Sequence, residues 1–134
     1  MLAIDYINSR FICGLDTDSD STLKNYFEEQ KVTHLPISDN YGHFKGVLYA
    51  EDLVEWAINK DFKLINEFKC NIHQHIFECL EIMVANNLSC LAAVDDSNVI
   101  KGVITLYEIM LLAGQMAVIS VPGAIFVIEV PARD

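Results

Sequence analysis

Apolar residues at Leu23, Tyr26 and Phe27 are spaced three and four apart, and the same spacing returns at Ile76, Cys79, Leu80, Met83 and Val84. That period puts each set on one face of a helix. Asp18 to Ser21 supply cap-type residues before the first stripe. Each helical stretch leads to a short apolar run, then a turn rich in Asp, Asn and Gly ("SDNYGHF", "DDSNVI"), then a second run containing Lys-Gly-Val. These are the marks of two strands joined by a tight turn. A further helix is expected after each hairpin, over about 50–58 and 106–116. The last one is apolar nearly all round, through Ile109, Met110, Leu111, Leu112 and Met116. A helix without a polar face is central or covered by a partner, and in so short a chain a partner is expected.

The two stretches are copies of one unit, offset by 56 residues. Leu35-Pro36-Ile37 falls on Leu91-Ala92-Ala93, Asp39 on Asp95, and Lys45-Gly46-Val47 on Lys101-Gly102-Val103. Val32 and Thr33 match Leu88 and Ser89, Leu48 matches Ile104, and Asp52 matches Glu108. Neither unit is large enough to bury its own faces, so the two are expected to pack together. The stretch between them, "NKDFKLINEFK" at about 59–69, reads as a charged connector. The expected fold class is α+β with pseudo-twofold symmetry.

Composition narrows the function. Of 134 residues, 52% are hydrophobic, more than a solvated monomer of this size can hide. A homodimer through the apolar helices near 53–58 and 106–116 is therefore expected. The net charge is −10, with nine lysines and arginines spread thinly and only Arg10 and Arg133 as arginines. Nucleic acid is excluded as a partner on that ground, although backbone amides can still hold a small anion. No run of eighteen apolar residues offers a membrane span, and Asp5 and Asn8 interrupt any secretory-type start. A cytoplasmic protein with Cys13, Cys70, Cys79 and Cys90 as free thiols is the expectation.

The order of elements, with "VTHLPISDN" leading to "FKGVLYAEDL" and "LSCLAAVDDSNVIKGVITLYEI" in the second copy, resembles a tandem pair of CBS (cystathionine-beta-synthase) domains. The resemblance covers about residues 1–116, the opening "MLAIDYI" included. It implies two repeats of strand-helix-strand-strand-helix type, at 1–58 and 70–116, joined by 59–69. More narrowly, the chain is similar to stand-alone CBS-pair proteins of Bacteroidetes-type bacteria, often labelled acetoin-utilisation-like. In those, a segment like "MAVISVPGAIFVIEV" opens an ACT-like domain, so residues 117–134 would be the truncated start of one, with 124–130 as a lone apolar strand. The resemblance also implies a regulatory, non-catalytic module. Its ligand would be AMP, ADP, ATP or S-adenosylmethionine in the cleft between repeats, with no cofactor required.

The ligand motif of that family is Gly, two apolar residues, Ser or Thr, two free positions and Asp. The hydroxyl would stand at a helix N-terminus, where backbone amides favour an anion, and the acid would accept the hydroxyls of a ribose. Each repeat keeps half. Gly46-Val47-Leu48-Tyr49-Ala50-Glu51-Asp52 retains the aspartate but puts Tyr49 in the hydroxyl position, where its ring fills space. Gly102-Val103-Ile104-Thr105-Leu106-Tyr107-Glu108 retains the threonine but lengthens the acid. Thr105-x-x-Glu108 is equally a capping box that needs no ligand, and Asp52 is equally a first-turn acid on a helix dipole. These departures predict weak or absent nucleotide binding. His34 and Pro36 fall where the pocket-lining strand would lie, with His34 either a phosphate or base contact or a polar residue at a strand edge.

Two other readings stand beside the sensor. The chain serves mainly as a dimerising scaffold, or "CNIHQHIFEC" holds a metal through Cys70, His73, His75 and Cys79, although the spacing matches no finger pattern. A catalytic role finds no nucleophile elbow, P-loop or apolar carboxylate pair.

Overall fold

The computed structural model describes residues 1–59, 61–113, 118–121 and 124–127, the last two stretches through their backbone. Two units follow one another. The first holds β1 (Gly14–Leu15), α1 (Asp20–Gln30), β2 (His34–Ser38), β3 (Phe44–Tyr49), a 3-10 turn (Ala50–Asp52) and α2 (Leu53–Ile58). The second holds β4 (Lys69–Asn71), α3 (Ile76–Ala85), β5 (Cys90–Val94), β6 (Ile100–Thr105) and α4 (Leu106–Ala113). Each forms a three-stranded sheet with its middle strand parallel to the first and antiparallel to the third.

The 56-residue offset holds pair by pair. Gly14 faces Ile37 as Cys70 faces Ala93, and His34 faces Tyr49 as Cys90 faces Thr105. Even the bulge recurs, between Ile37 and Ser38 and between Ala93 and Val94. Both hairpin turns are tied the same way. Asp39 Oδ1 accepts from the amides of Tyr41 and His43, and Asp95 Oδ1 from those of Ser97 and Val99. One departure has a local cause. The first strand of unit one starts a residue late, at Gly14, because the position facing Cys13 is Pro36, which has no N–H for a ladder.

Local chemistry starts and stops the helices. Ser19 Oγ accepts from the Thr22 amide at 3.2 Å, and His75 Nδ1 plays that part for α3, accepting from Phe77 at 3.1 Å. α1 buries Leu23 and Phe27 against Leu35, Ile37 and Leu48, and α3 buries Ile76, Cys79, Leu80 and Met83 against Leu91 and Ile104. The predicted stripes thus form the floors of two cores.

The units meet about a pseudo-twofold axis, visible as reciprocal hydrogen bonds. The Phe44 amide donates to the Asn98 carbonyl at 2.9 Å, and the Ile100 amide to the Gly42 carbonyl at 2.8 Å. Phe44, Val47, Ala92 and Val94 bury a small shared core between them.

Each unit also lends its leading segment to the other. Residues before β1 lie on the second unit, with the Asn8 amide donating to the Val103 carbonyl at 2.8 Å and the Ala3 amide to the Gln74 carbonyl at 2.8 Å. Residues 61–65 lie on the first unit, where the Val47 amide donates to the Ile65 carbonyl at 2.8 Å. The charged connector also carries core residues: Phe62 and Leu64 pack on the first core and Phe68 on the second and shared cores. This exchange of segments explains the glycines of the repeated Lys-Gly-Val. A Cβ on Gly46 would stand 2.5 Å from Leu64 Cβ, and one on Gly102 would run into Ile7.

The C-terminal stretch departs from expectation as well. Ala124–Val127 is no lone strand; as β8 it pairs antiparallel with β7 (Val118–Val121), with Ile119 facing Phe126. Residues 128–130 of the expected strand, and residues 114–116 of the expected last helix, lie outside the described residues.

Candidate ligand-binding cleft

The crossing of leading segments builds a cleft at the end of β6. The turn from β6 into α4 carries Thr105 and Glu108, and the amide of Leu106 donates to the Ser89 carbonyl at 2.8 Å, fixing where the helix begins. Opposite stand Asn8, Arg10 and Phe11 from the N-terminal segment, and Lys31 and Val32 from the end of α1. Together they line a cleft of about 480 Å³, the size of a small-molecule site. Thr105 Oγ1 accepts from the Glu108 amide at 3.3 Å. This is one arm of the predicted capping box. Among the described residues no hydrogen bond reaches the Glu108 carboxylate, so that acid faces the cleft with its acceptors available.

At the matching turn after β3 stands Tyr49. Tyr49 is half-buried, packs with Phe68 against the second and shared cores, and lies 5.8 Å from the His34 ring. Burial, and then the charges of Glu51 and Asp52, push its phenol above the ordinary range. Asp52 opens α2 without a side-chain capping bond.

Residues 61–113 match the family model for the CBS domain. Residues 61–113 are a CBS domain. A CBS domain pair/ACT domain protein (TM0892) from Thermotoga maritima superposes with a TM-score of 0.74 at 19% identity, over 87% of this chain and all of that one. The CBS domain pair of protein MJ0100, in complex with 5'-methylthioadenosine and S-adenosyl-L-methionine, superposes with a TM-score of 0.67 at 22% identity, over 86% of this chain and 97% of that one. An uncharacterized protein of Methanocaldococcus jannaschii, MJ1232, is 34% identical over 89 residues, which is 63% of this chain. The chain spans only 30% of that relative's length. The fold is that of a CBS-domain pair, an α+β arrangement of two strand-helix-strand-strand-helix units.

Within the CBS pair, the residues singled out from sequence separate into three groups. Thr105 and Glu108 lie together in the cleft. Tyr49 and Asp52 lie at the matching turn of the other repeat. His34 and Pro36 are buried in β2, with His34 directly opposite Tyr49. The expectation of His34 at a strand edge fails because β2 is the middle strand of its sheet. His34 is 1% exposed, and its Nε2 accepts from the amides of Ser89 at 3.1 Å and Cys90 at 3.2 Å, across the pseudo-twofold axis. Nε2 also lies 3.3 Å from the Cys90 carbonyl, a contact that favours a protonated ring. Two N–H groups aimed at the same nitrogen make it an acceptor, and burial holds the pKa below its ordinary value. His34 is a joint between repeats.

The Cys/His set does not converge either. Cys70 and Cys79 are buried in the second core, and their mutual hydrogen bond and burial push the Cys70 thiol well above the ordinary range. His73 is exposed and His75 caps α3. Among the described residues no group of three or more His, Cys, Asp or Glu is placed to hold a metal ion, and no helix is long and apolar enough to cross a membrane.

Asn8, Arg10, Phe11, Lys31 and Ser89 were missed in the sequence. All but Ser89 belong to the half of the chain opposite the motif they serve.

Proposed function

We propose that this chain is a cytoplasmic, non-catalytic regulatory module of two CBS repeats, about 1–58 and 70–116, that binds an adenosine-containing metabolite in the cleft at Thr105 and Glu108. One observation carries the reading: a helix-opening turn with an available carboxylate faces an open cleft that an apolar ring, Phe11, also lines. Glu108 would accept the ribose hydroxyls, Thr105 would donate its O–H while accepting the Glu108 amide, and Phe11 with Val32 would flank the base. The complex of the MJ0100 pair with two adenosine derivatives supports the ligand class. Calorimetric titration with AMP, ADP, ATP and S-adenosylmethionine tests it. Micromolar binding of at least one is expected, and no heat with any of the four would remove the sensor reading.

A second observation favours assembly. Val54 and Ile58 on α2 and Tyr107 and Leu111 on α4 point outward, Ile58 at 76% and Tyr107 at 70% exposure. In each helix the two stand four residues apart, about one turn, so each helix shows an apolar pair on one exposed face. A second copy of this chain, with the same face, is the occupant that fits. Light scattering is expected to give twice the 15.1 kDa of the chain. A monomer mass at micromolar concentration would count against the dimer, and against a scaffold role.

A further inference from the structure

α1 ends at Lys31 with φ of 54°, in the left-handed region that non-glycine residues rarely adopt and that asparagine tolerates best. The copy of that position, at the end of α3, is Asn87 with φ of 55°. One backbone conformation is thus filled by a suited residue in the second repeat and by a long cation in the first. The cation is the one that lines the open cleft. Arg10 lines it too. Ile65 stands to Val47 as Asn8 stands to Val103, and Cys70 to Ala93 as Gly14 to Ile37, so Arg10 falls against Asn66 or Glu67, neither of them a cation.

The two sites therefore differ in charge. The open cleft has Arg10 and Lys31 against one carboxylate, Glu108. The matching positions of the other repeat are Asn66 or Glu67, Asn87, Glu51 and Asp52, around the ring of Tyr49 at the turn, with no cation among them. An anion is attracted to the first set and repelled by the second.

We propose that the chain binds one nucleoside phosphate, at the Thr105–Glu108 cleft alone, with Lys31 and Arg10 meeting the phosphate and Tyr49 closing the counterpart. This rests on reading the cleft as an adenosine-ligand site, and it adds the ligand's charge and its number. A sulfonium such as S-adenosylmethionine gains nothing from two cations.

Calorimetry on the full chain with AMP and, separately, with S-adenosylmethionine tests the proposal, alongside Lys31→Asn. The variant puts the residue of the second repeat into the same backbone position, so its melting temperature should equal or exceed that of the parent. AMP should bind at one per chain and roughly tenfold or more tighter than S-adenosylmethionine, and Lys31→Asn should lose about tenfold in AMP affinity. Two AMP per chain, an unchanged AMP affinity in Lys31→Asn, or a preference for S-adenosylmethionine would overturn it. The last result would leave the adenosine-site reading standing. Silence from both ligands would remove that reading and this proposal together.

Discussion

After β3 the chain turns through Tyr49, Ala50, Glu51 and Asp52; after β6 it turns through Thr105, Leu106, Tyr107 and Glu108. Both strands end on the same tie, although the first turn is 3-10 over Ala50–Asp52 and the second enters α4 directly at Leu106. The amide of Ala50 donates to the Thr33 carbonyl and that of Leu106 to the Ser89 carbonyl, each at 2.8 Å. The side chains then part company. Tyr49 packs on the shared core with its ring tilted against His34, while Thr105 stays at its helix end and lines a cleft. On the proposed reading, a repeat keeps its fold while only one copy keeps a site. What separates them is which side chain fills the hydroxyl position and which charges the crossing segment brings.

The largest effects should come from the two glycines that admit the crossing segments. Gly46 has φ of 144°, and a Cβ there would meet the backbone of Ile65 at 3.0 Å as well as Leu64 Cβ at 2.5 Å. Gly102 would press only on the Ile7 side chain. Gly46→Ala should cost about 3 kcal/mol in denaturant unfolding and Gly102→Ala about 1 kcal/mol, since strained backbone adds to overpacking in the first case alone. Equal costs would mean that the two crossings are alike after all.

Next comes the joint between the copies. His34→Ala leaves the amides of Ser89 and Cys90 without their acceptor and should cost about 2 kcal/mol. The same residue gives stability a pH dependence whose sign follows from burial. The buried ring resists protonation, so its folded pKa lies below the unfolded one of about 6.5. As pH falls through about 6.5 the unfolded chain takes up a proton that the native chain refuses, and stability declines. Comparing unfolding midpoints at neutral and mildly acidic pH should show this decline in the parent and a shallower one in His34→Ala.

A smaller effect distinguishes the acids. Glu108→Ala should weaken AMP binding by about tenfold, through loss of a charge-assisted hydrogen bond, while Asp52→Ala should leave it unchanged. The reverse order, read by calorimetry, would place the ligand at the first repeat.

Much of the fold was legible because main-chain registers repeat with the sequence. The 56-residue offset, the helix stripes and the turn residues each report a local requirement, and local requirements are written locally. The crossing of the leading segments was not legible, because "NKDFKLINEFK" looks polar until Phe62, Leu64 and Phe68 are seen to dock on separate cores. His34 was misread for a related reason. Its partners are backbone amides of the other repeat, which leave no mark in composition. For the cleft, Thr105 and Glu108 carried a motif, whereas Arg10, Phe11 and Lys31 did not. Aligning the ends of α1 and α3 would have shown Lys31 over Asn87, a cation where a helix end normally takes glycine or asparagine.

The claim that one of two equivalent turns kept a binding site is tested most directly by amide chemical shifts during titration with AMP. Shifts confined to Asn8, Arg10, Phe11, Lys31, Ser89, Thr105 and Glu108 are the expected result. Matching shifts at Thr33, Tyr49, Asp52 and Glu67 would show that both turns bind, and would contradict it.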